Sequence, residues 1–377
     1  MKKSALIISC FDWYKNRLEP IREILEKEYN VTILLSDYDH IRKITQTERY
    51  SVCTYLHVPP YHKNISIGRI WSHFCFGQAV KRQLRRLQVD LIYLVLPPNY
   101  TAYHCMYYKY AHPLVKYYVD LIDLWPESLP IDGFQETFLA KFWAGFRNSS
   151  IKIADHVFIE CDLYRRKVEN IIKDSKRITS LYLFKEQSQD EYDLVLRKIE
   201  ESKEKEENYI SIAYLGSINN IIDIDSIRKI IRILIKKRYT VEIRIIGNGE
   251  SLEEFLHKLK AEGADVNYCG EIYNEVKKIE LLCGCDYALN IMKYSVNVGL
   301  TIKSIDYLSM GIPILNNIHG DTWDFVEKEG IGINIDEDYQ LLEEKMSRKI
   351  DRRKVLNYFR THFLKDKFIE KVSEILI

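Results

Sequence analysis

Thr301, Lys303, Ser304 and Asp306 lie within one short stretch that directly follows Gly299 and Leu300. Thr301 is placed to cap a helix over 302–310, with Ser304 three residues on. A helix N-terminus presents unpaired N–H groups and the positive end of the helix dipole, so it cradles phosphate. Gly299 permits close backbone approach. Lys303, in the first turn, adds a charge suited to a diphosphate. Asp306, one turn on, can accept hydrogen bonds from a ribose diol. Gly311-Ile312-Pro313 ends the helix and opens the next strand. The same residues also compose an ordinary helix with a Thr cap, a solvated lysine and a glycine stop, and both readings stay open on physics alone.

Other candidates stand at the ends of apolar runs. Gly216 is followed by Ser217 and Asn219, and Gly247-Asn248-Gly249 and Gly270-Glu271-Ile272 close two further runs. A lone glycine there is usually a turn. Asp123, Trp125 and Glu127 follow a run in the first half. Carboxylates so placed can orient or deprotonate a hydroxyl, or merely cap and open a helix. Asp12 and Trp13 follow the first run; an aromatic face suits a sugar ring, and a core Trp is the alternative. Asp223 and Asp225 have DxD spacing but open an Ile-rich helix, which reads as an N-cap pair. His104 and His112 read as surface or core histidines. Among the eight cysteines only Cys283 and Cys285 are close together, a poor zinc signature that favours buried free thiols in a reducing compartment. No metal site is expected.

These residues need a scaffold, and the chain supplies a regular one. Apolar runs at 5–10, 30–37, 90–97, 116–123 and 156–160 alternate with helical patterns near 66–87, 99–111 and 136–154. The rhythm restarts with strands at 209–216, 241–249, 266–270, 286–292, 312–317 and 331–335. Helices fall between them at 224–238, 251–263, 273–284, 302–310 and 322–329, and a final helical stretch covers 351–377. Continuous Val/Ile/Leu runs alternating with helices predict parallel strands covered on both faces. The fold class is therefore α/β, with two Rossmann-like doubly wound domains facing a cleft. The boundaries are 1–185, a charged linker or insertion at 186–208, 209–350, and a last helix at 351–377. Ligands in such folds bind beyond the carboxyl ends of the strands.

Composition narrows the function. With 377 residues, 55 Lys+Arg and 54 Asp+Glu, the chain has a formal net charge of +1. A dedicated nucleic-acid binder shows a basic excess, so none is expected. No apolar run reaches the roughly 18 residues of a membrane span, and the start reads as a buried strand rather than a signal peptide. A cytoplasmic protein is expected. Fourteen of the 27 Tyr and seven of the ten His precede residue 160, so the two halves have different jobs. Two basic-aromatic stretches, Trp71, Phe74 and Phe76 with Lys81, Arg82, Arg85 and Arg86, and the FLAKFWAGFR segment of 138–147, could meet anionic lipid at the inner face of a membrane.

The stretch Gly299-Leu300-Thr301-x-Lys303-x-x-Asp306-Tyr307-Leu308-x-x-Gly311-x-Pro313 resembles the nucleotide-sugar motif of family-4-type retaining glycosyltransferases of the two-Rossmann GT-B fold. Lys303 to Pro313 is close to a branch reading Ser-Lys-x-x-Glu-Tyr-x-x-x-Gly-x-Pro. The resemblance puts Asp306 at the acid that holds the nucleotide ribose. Val298 falls where the family has the first acid of the motif, the one that contacts the transferred sugar. Tyr214-Leu215-Gly216 resembles the strand-plus-Gly opening beside the donor, but Ser217 to Asn220 replace the usual Arg and Lys, leaving Lys303 the cationic role. Ile246 to Gly249 and Gly270-Glu271-Ile272 resemble the remaining donor turns. Asp120 to Ser128 resembles the Asp-x-Trp-Pro-Glu-Ser segment of bacterial polysaccharide-assembling members.

The resemblance implies retaining transfer of a hexose from a nucleoside diphosphate sugar, with a UDP-sugar favoured, and no cofactor or metal. The acceptor would be a glycan or lipid-linked glycan in capsule, exopolysaccharide or O-antigen synthesis. Gly216, Ser217, Asn219, Gly247, Gly249, Glu271, Ile272, Gly299, Leu300, Thr301, Lys303 and Asp306 would bind the donor. Asp123, Glu127 and Lys303 would act in catalysis, and Asp12, Trp13 and Trp125 would meet the acceptor. The carboxylates of the Asp120 segment are expected to face the cleft. Val298 and the missing Arg/Lys pair motivate an alternative, a non-catalytic GT-B subunit that binds or chaperones a true transferase. An epimerase of the same architecture and a two-lobed solute-binding protein are further rivals.

Overall fold

The protein is described from a computed structural model, covering residues 2–12, 14–129, 131, 133–201, 208–345 and 349–377. The chain forms two compact units. One comprises Met1–Leu183 and Phe368–Ile377, the other Phe184–Lys367.

The first unit runs β1 (Lys3–Ser9), α1 (Glu19–Leu25), β2 (Tyr29–Ser36), a two-strand hairpin of β3 (Tyr38–Asp39) and β4 (Ile44–Thr45), then β5 (Cys53–Leu56). It continues through α2 (Ile67–Leu84), β6 (Leu91–Leu96), α3 (Asn99–Ala111), β7 (Lys116–Leu121), α4 (Phe138–Ile153), β8 (His156–Ile159), α5 (Arg165–Glu169) and β9 (Ile178–Ser180). Its sheet has the parallel order β5-β2-β1-β6-β7-β8-β9. The central β6 is buried at every residue, as a strand covered on both faces must be.

The second unit runs α6 (Gln189–Glu201), β10 (Tyr209–Leu215), α7 (Ile224–Lys236), β11 (Thr240–Ile246), α8 (Leu252–Ala261), β12 (Asp265–Tyr268), α9 (Glu275–Leu282) and β13 (Tyr287–Asn290). Then come α10 (Ile302–Ser309), β14 (Ile314–Asn316), α11 (Asp321–Glu329), β15 (Gly332–Asn334), α12 (Gln340–Lys345), α13 (Arg352–His362) and α14 (Lys365–Leu376). From Phe368 on, α14 belongs to the first unit. The second sheet is β12-β11-β10-β13-β14-β15, all parallel. Both sheets start with the doubly wound order 3-2-1-4-5-6, so each reverses direction beside its first strand, where such folds bind ligands.

Several details depart from the sequence reading. The stretch 38–64, which no apolar run marks, holds the β3–β4 hairpin and the edge strand β5, and β9 is a further short edge strand. Edge strands are short and alternate in burial, so they lack the apolar run that betrays a central one. The charged segment 186–208 contains α6, which buries Val195 and Ile199. The last stretch is two helices, broken at Phe363-Leu364. All eight cysteines are free, and Cys53, Cys75 and Cys269 are half-buried rather than buried.

A buried polar knot fastens the first unit. Arg17 donates to both carboxylate oxygens of Asp120, at 2.8 and 2.6 Å, and to the Leu181 carbonyl at 2.8 Å. Tyr93 donates to the same carboxylate at 2.8 Å, and the guanidinium lies 5.4 Å from the Phe368 ring. Asp120 therefore faces the interior, not a cleft. Burial by itself would lower the Arg17 pKa, and the facing Asp120 reverses this and raises it.

Candidate functional site

In the second unit the candidate residues gather at the carboxyl edge of the sheet. β10 and β13 pair through Ile212 with Tyr287 and Ala213 with Ala288. Beyond that pair Tyr307 of α10 bridges them. Its hydroxyl accepts from the Leu215 N–H at 2.8 Å and donates to the Leu289 carbonyl at 3.2 Å. The bridge ties α10 to the switch point.

Thr301 caps α10, accepting from the Ser304 N–H at 3.2 Å. Its hydroxyl donates to Asn290 Oδ1 at 3.0 Å, and Oγ1 lies 2.6 Å from Ser304 Oγ. Asn290 opens a row of three buried amides across adjacent strand ends. Asn290 donates to Asn316 and Asn316 to Asn334, each at 2.9 Å, and Asn334 donates to the Trp323 carbonyl at 2.9 Å. The preceding turn is pinned because the Gly299 carbonyl accepts from the Thr322 N–H at 2.9 Å and hydroxyl at 2.8 Å. Leu300 is buried beneath it.

Lys303 is not solvated. It is 8% exposed, and its ammonium has no hydrogen-bond partner among the described residues. The ammonium lies 5.2 Å from the centroid of the Tyr214 ring on β10. Burial alone lowers its pKa to about 8. An unpartnered ammonium beside a helix N-terminus is a waiting anion site.

Asp306 is already engaged. Its carboxylate pairs with Lys185, which also donates to Glu275 at 2.7 Å. Burial by itself would lower the Lys185 pKa, and Asp306 and Glu275 raise it instead. Nothing near Asp306 in sequence announces this partner.

The glycines at the strand ends have a packing reason. Gly247 has φ +147°, and a Cβ there would lie 2.0 Å from the Gly216 carbonyl oxygen; one at Gly249 would lie 2.2 Å from that of Ile218. The loops after β10 and β11 thus touch backbone to backbone. Asn248 donates to Glu271 at 3.2 Å, drawing in the turn after β12. Ser217 and Glu271 are exposed, while Asn219 and Ile272 are half-buried.

At the carboxyl edge of the first sheet, Asp123 accepts from the Trp125 indole at 2.5 Å and from Ser128. Burial raises its pKa against these donors and the charge of Arg69. Both Glu127 oxygens accept from the buried Arg147, at 2.7 and 2.8 Å. Arg147 also donates to the Trp125 carbonyl at 2.6 Å. Burial would raise the Glu127 pKa, but Arg147 lowers it. Glu127 therefore holds the Trp-Pro turn in place.

Trp125 is buried in an aromatic box. His73 stacks on it at 5.6 Å, and the Arg69 guanidinium stands 4.3 Å from its ring centroid. Phe11 and Tyr61 each lie 5.7 Å from the same guanidinium. Both ring nitrogens of His73 lack partners among the described residues, and burial, then Arg69 and His40, lower its pKa to about 3. Asp12 is exposed and accepts from Gln46 at 3.4 Å. Trp13 lies outside the described residues. Sequence reasoning missed Arg69 and His73, which carry no motif. Among the described residues, no three His, Cys, Asp or Glu side chains are placed to hold a metal ion.

No protein-family model matches the sequence, and no curated protein matches it. Solved structures match along nearly the whole chain. HepE of Anabaena, in complex with UDP and glucose, is 10% identical with a TM-score of 0.61, covering 99% of each chain. The fold is GT-B. The lipopolysaccharide outer core galactosyltransferase WaaB, in its apo form, is 11% identical with a TM-score of 0.65, covering 98% of this chain and 97% of that one. The N-terminal domain of trehalose-6-phosphate phosphatase from Candida albicans is 11% identical with a TM-score of 0.68, covering 100% and 97%. At such identity these GT-B likenesses establish the fold, and function must be argued from the site.

Proposed function

We propose that this protein is a retaining glycosyltransferase that moves a hexose from a nucleoside diphosphate sugar, with UDP favoured, to a glycan or lipid-linked glycan. Bacterial surface polysaccharide synthesis is the setting that the resemblance implies. The observation that carries the reading is Lys303, a buried ammonium without a partner beside the capped N-terminus of α10. Solved structures of the same fold with UDP and with UDP-glucose support the choice of donor.

In this reading the diphosphate sits at the N-terminus of α10 and Lys303 neutralises it. The bond from the anomeric carbon to the diphosphate oxygen breaks, and the charge left on that oxygen is held by the helix end and the ammonium. The acceptor hydroxyl oxygen bonds to the anomeric carbon on the same face. Its proton passes to the departing phosphate, so no protein nucleophile is needed. Asp306 shares its carboxylate between Lys185 and the ribose diol. Asp123 orients the acceptor hydroxyl, while Glu127 positions the turn through Arg147.

A thermal-shift screen of nucleotides and nucleotide sugars tests the donor site, since a ligand bound by the native state raises its melting temperature. UDP should raise it and inorganic phosphate should not. No shift with any nucleoside diphosphate would sink the reading. Release of UDP from a UDP-sugar then separates enzyme from partner subunit. Val298, at the place of a sugar-binding acid, favours the second reading, and binding without turnover would establish it. Asp123→Asn should abolish turnover and leave UDP binding unchanged.

A further inference from the structure

The outer faces of α2, α3 and α4 form one aromatic and basic surface in the first unit. The three helices pack side by side, α3 between the other two. On α2, Ile67, Ile70, Trp71 and Phe74 recur at three- and four-residue spacing and are exposed, Ile67 at 85%. On α3, Tyr100, Tyr103, Tyr107 and Tyr110 recur the same way, and on α4 Phe138, at 80% exposed, stacks on Phe142 at 6.4 Å. Ring contacts join them: Phe74 to Tyr100 at 4.9 Å, Tyr103 to Phe146 at 5.5 Å, and Phe142 to Phe146 at 5.1 Å. Phe76, expected in the same patch, is fully buried, because five residues from Trp71 places it on the opposite side of the helix.

The charge on the three helices is of one sign; Glu136, just before α4, pairs with Lys141, and Asp155, just after it, pairs with Lys109. Not one Asp or Glu occurs in α2, α3 or α4, in a chain that has 54 of them. Lys81 and Arg82 in the last turn of α2, and Arg85 and Arg86 just after it, make no ion pair among the described residues. Lys81 and Arg85 edge a cavity of about 620 Å³ lined by Tyr103, His104, Tyr107 and Tyr108. His104 Nε2 is buried there without a partner among the described residues. Burial first, then Lys81 and Arg85, lower its pKa to about 4, so the cations meet no counter-charge within the cavity. Basic residues in a last turn stabilise a helix end. That accounts for one or two of them, not for the missing acids on three helices or for the exposed rings.

We propose that this face docks on an anionic lipid surface. The rings of α2, α3 and α4 enter the headgroup layer, and Lys81, Arg82, Arg85 and Arg86 meet the lipid phosphates. Exposed apolar area of this extent needs a partner, and the acid-free helices, with the four basic residues at the end of α2, select a negative one. No helix among the described residues is long and apolar enough to cross a membrane, so the contact is interfacial.

Co-sedimentation of the full chain with lipid vesicles tests this. The protein should pellet with vesicles that mix phosphatidylglycerol into phosphatidylcholine, should stay in solution with phosphatidylcholine alone, and should be released by high salt. The combined Arg82→Gln, Arg85→Gln and Arg86→Gln variant should lose roughly 100-fold in partitioning, at about 1 kcal/mol per basic residue near the surface. Phe138→Ser with Phe142→Ser should weaken binding to the same vesicles. All five positions are at the surface, and an unchanged circular dichroism melt shows that the fold is kept. Equal binding to both vesicle types, or no effect of the charge variant, would overturn the proposal. Release by soluble glycerol phosphate would also overturn it, reassigning the cluster to a small-anion site.

Discussion

Lys303→Met should make the free protein more stable and its nucleotide complex weaker. Burial lowers the Lys303 pKa from 10.5 to about 8, with no partner to offset it. The unfolded chain holds the proton more tightly than the folded one, so the charge opposes folding. At pH 7 that opposition is about 3 kcal/mol, by the linkage between proton affinity and stability. It is present in full below about pH 8 and fades as pH rises toward the ordinary lysine value. Met keeps the length of the side chain and can pack on the Tyr214 ring. Urea unfolding at pH 7 should therefore give a higher midpoint for the variant, and the gap should close by about pH 10.5. The diphosphate loses a charge-assisted hydrogen bond, about 1.5–3 kcal/mol, or roughly a tenfold to hundredfold weaker UDP affinity by calorimetry. In the native protein UDP affinity should hold below pH 8 and fall above it, whereas the variant's profile should be flat. A variant less stable at pH 7 with unchanged UDP affinity would refute the reasoning, because the ammonium would then serve the fold.

Asp306→Asn should weaken UDP binding about tenfold and bring it level with binding of 2′-deoxy-UDP, which calorimetry with both nucleotides will show. Glu127→Gln removes the charge facing the buried Arg147, and denaturant unfolding at pH 7 should show a loss of about 3 kcal/mol. Because the Glu127 pKa is lowered in the fold, its contribution fades as pH falls below 4.5, and the two proteins should converge in acid. Tyr307→Phe leaves the Leu215 N–H and Leu289 carbonyl unsatisfied, and the same assay should register a loss of about 1–3 kcal/mol.

Much of the architecture is written locally. The run Leu91–Leu96 reads as a doubly covered strand, and Thr301 with Ser304 reads as a helix cap, because each signal spans only a few residues. The sequence marks Lys303 as a phosphate ligand by its place in the first turn, yet cannot say that its ammonium is dry. That depends on β10, nearly a hundred residues earlier. The same holds for Lys185 beside Asp306, Arg17 against Asp120 and Arg147 across Glu127. Each pair is made by strands and helices that meet only after folding, so no spacing encodes it. Trp125 shows the limit from another side. Its type suits a sugar platform, but Arg69 and His73 cover it, and neither lies near it in the chain.

The amide row from Asn290 through Asn316 to Asn334 has a direction. Each side chain passes its N–H to the next oxygen, starting from the Thr301 hydroxyl and ending on the Trp323 carbonyl. Turning any one amide over would set two donors or two acceptors face to face, and the Trp323 carbonyl, which can only accept, fixes the direction of all three. The hydroxyl that caps α10 is thereby oriented from the edge of the sheet, two strands away. Evolution can exchange these asparagines as a set, but hardly one at a time.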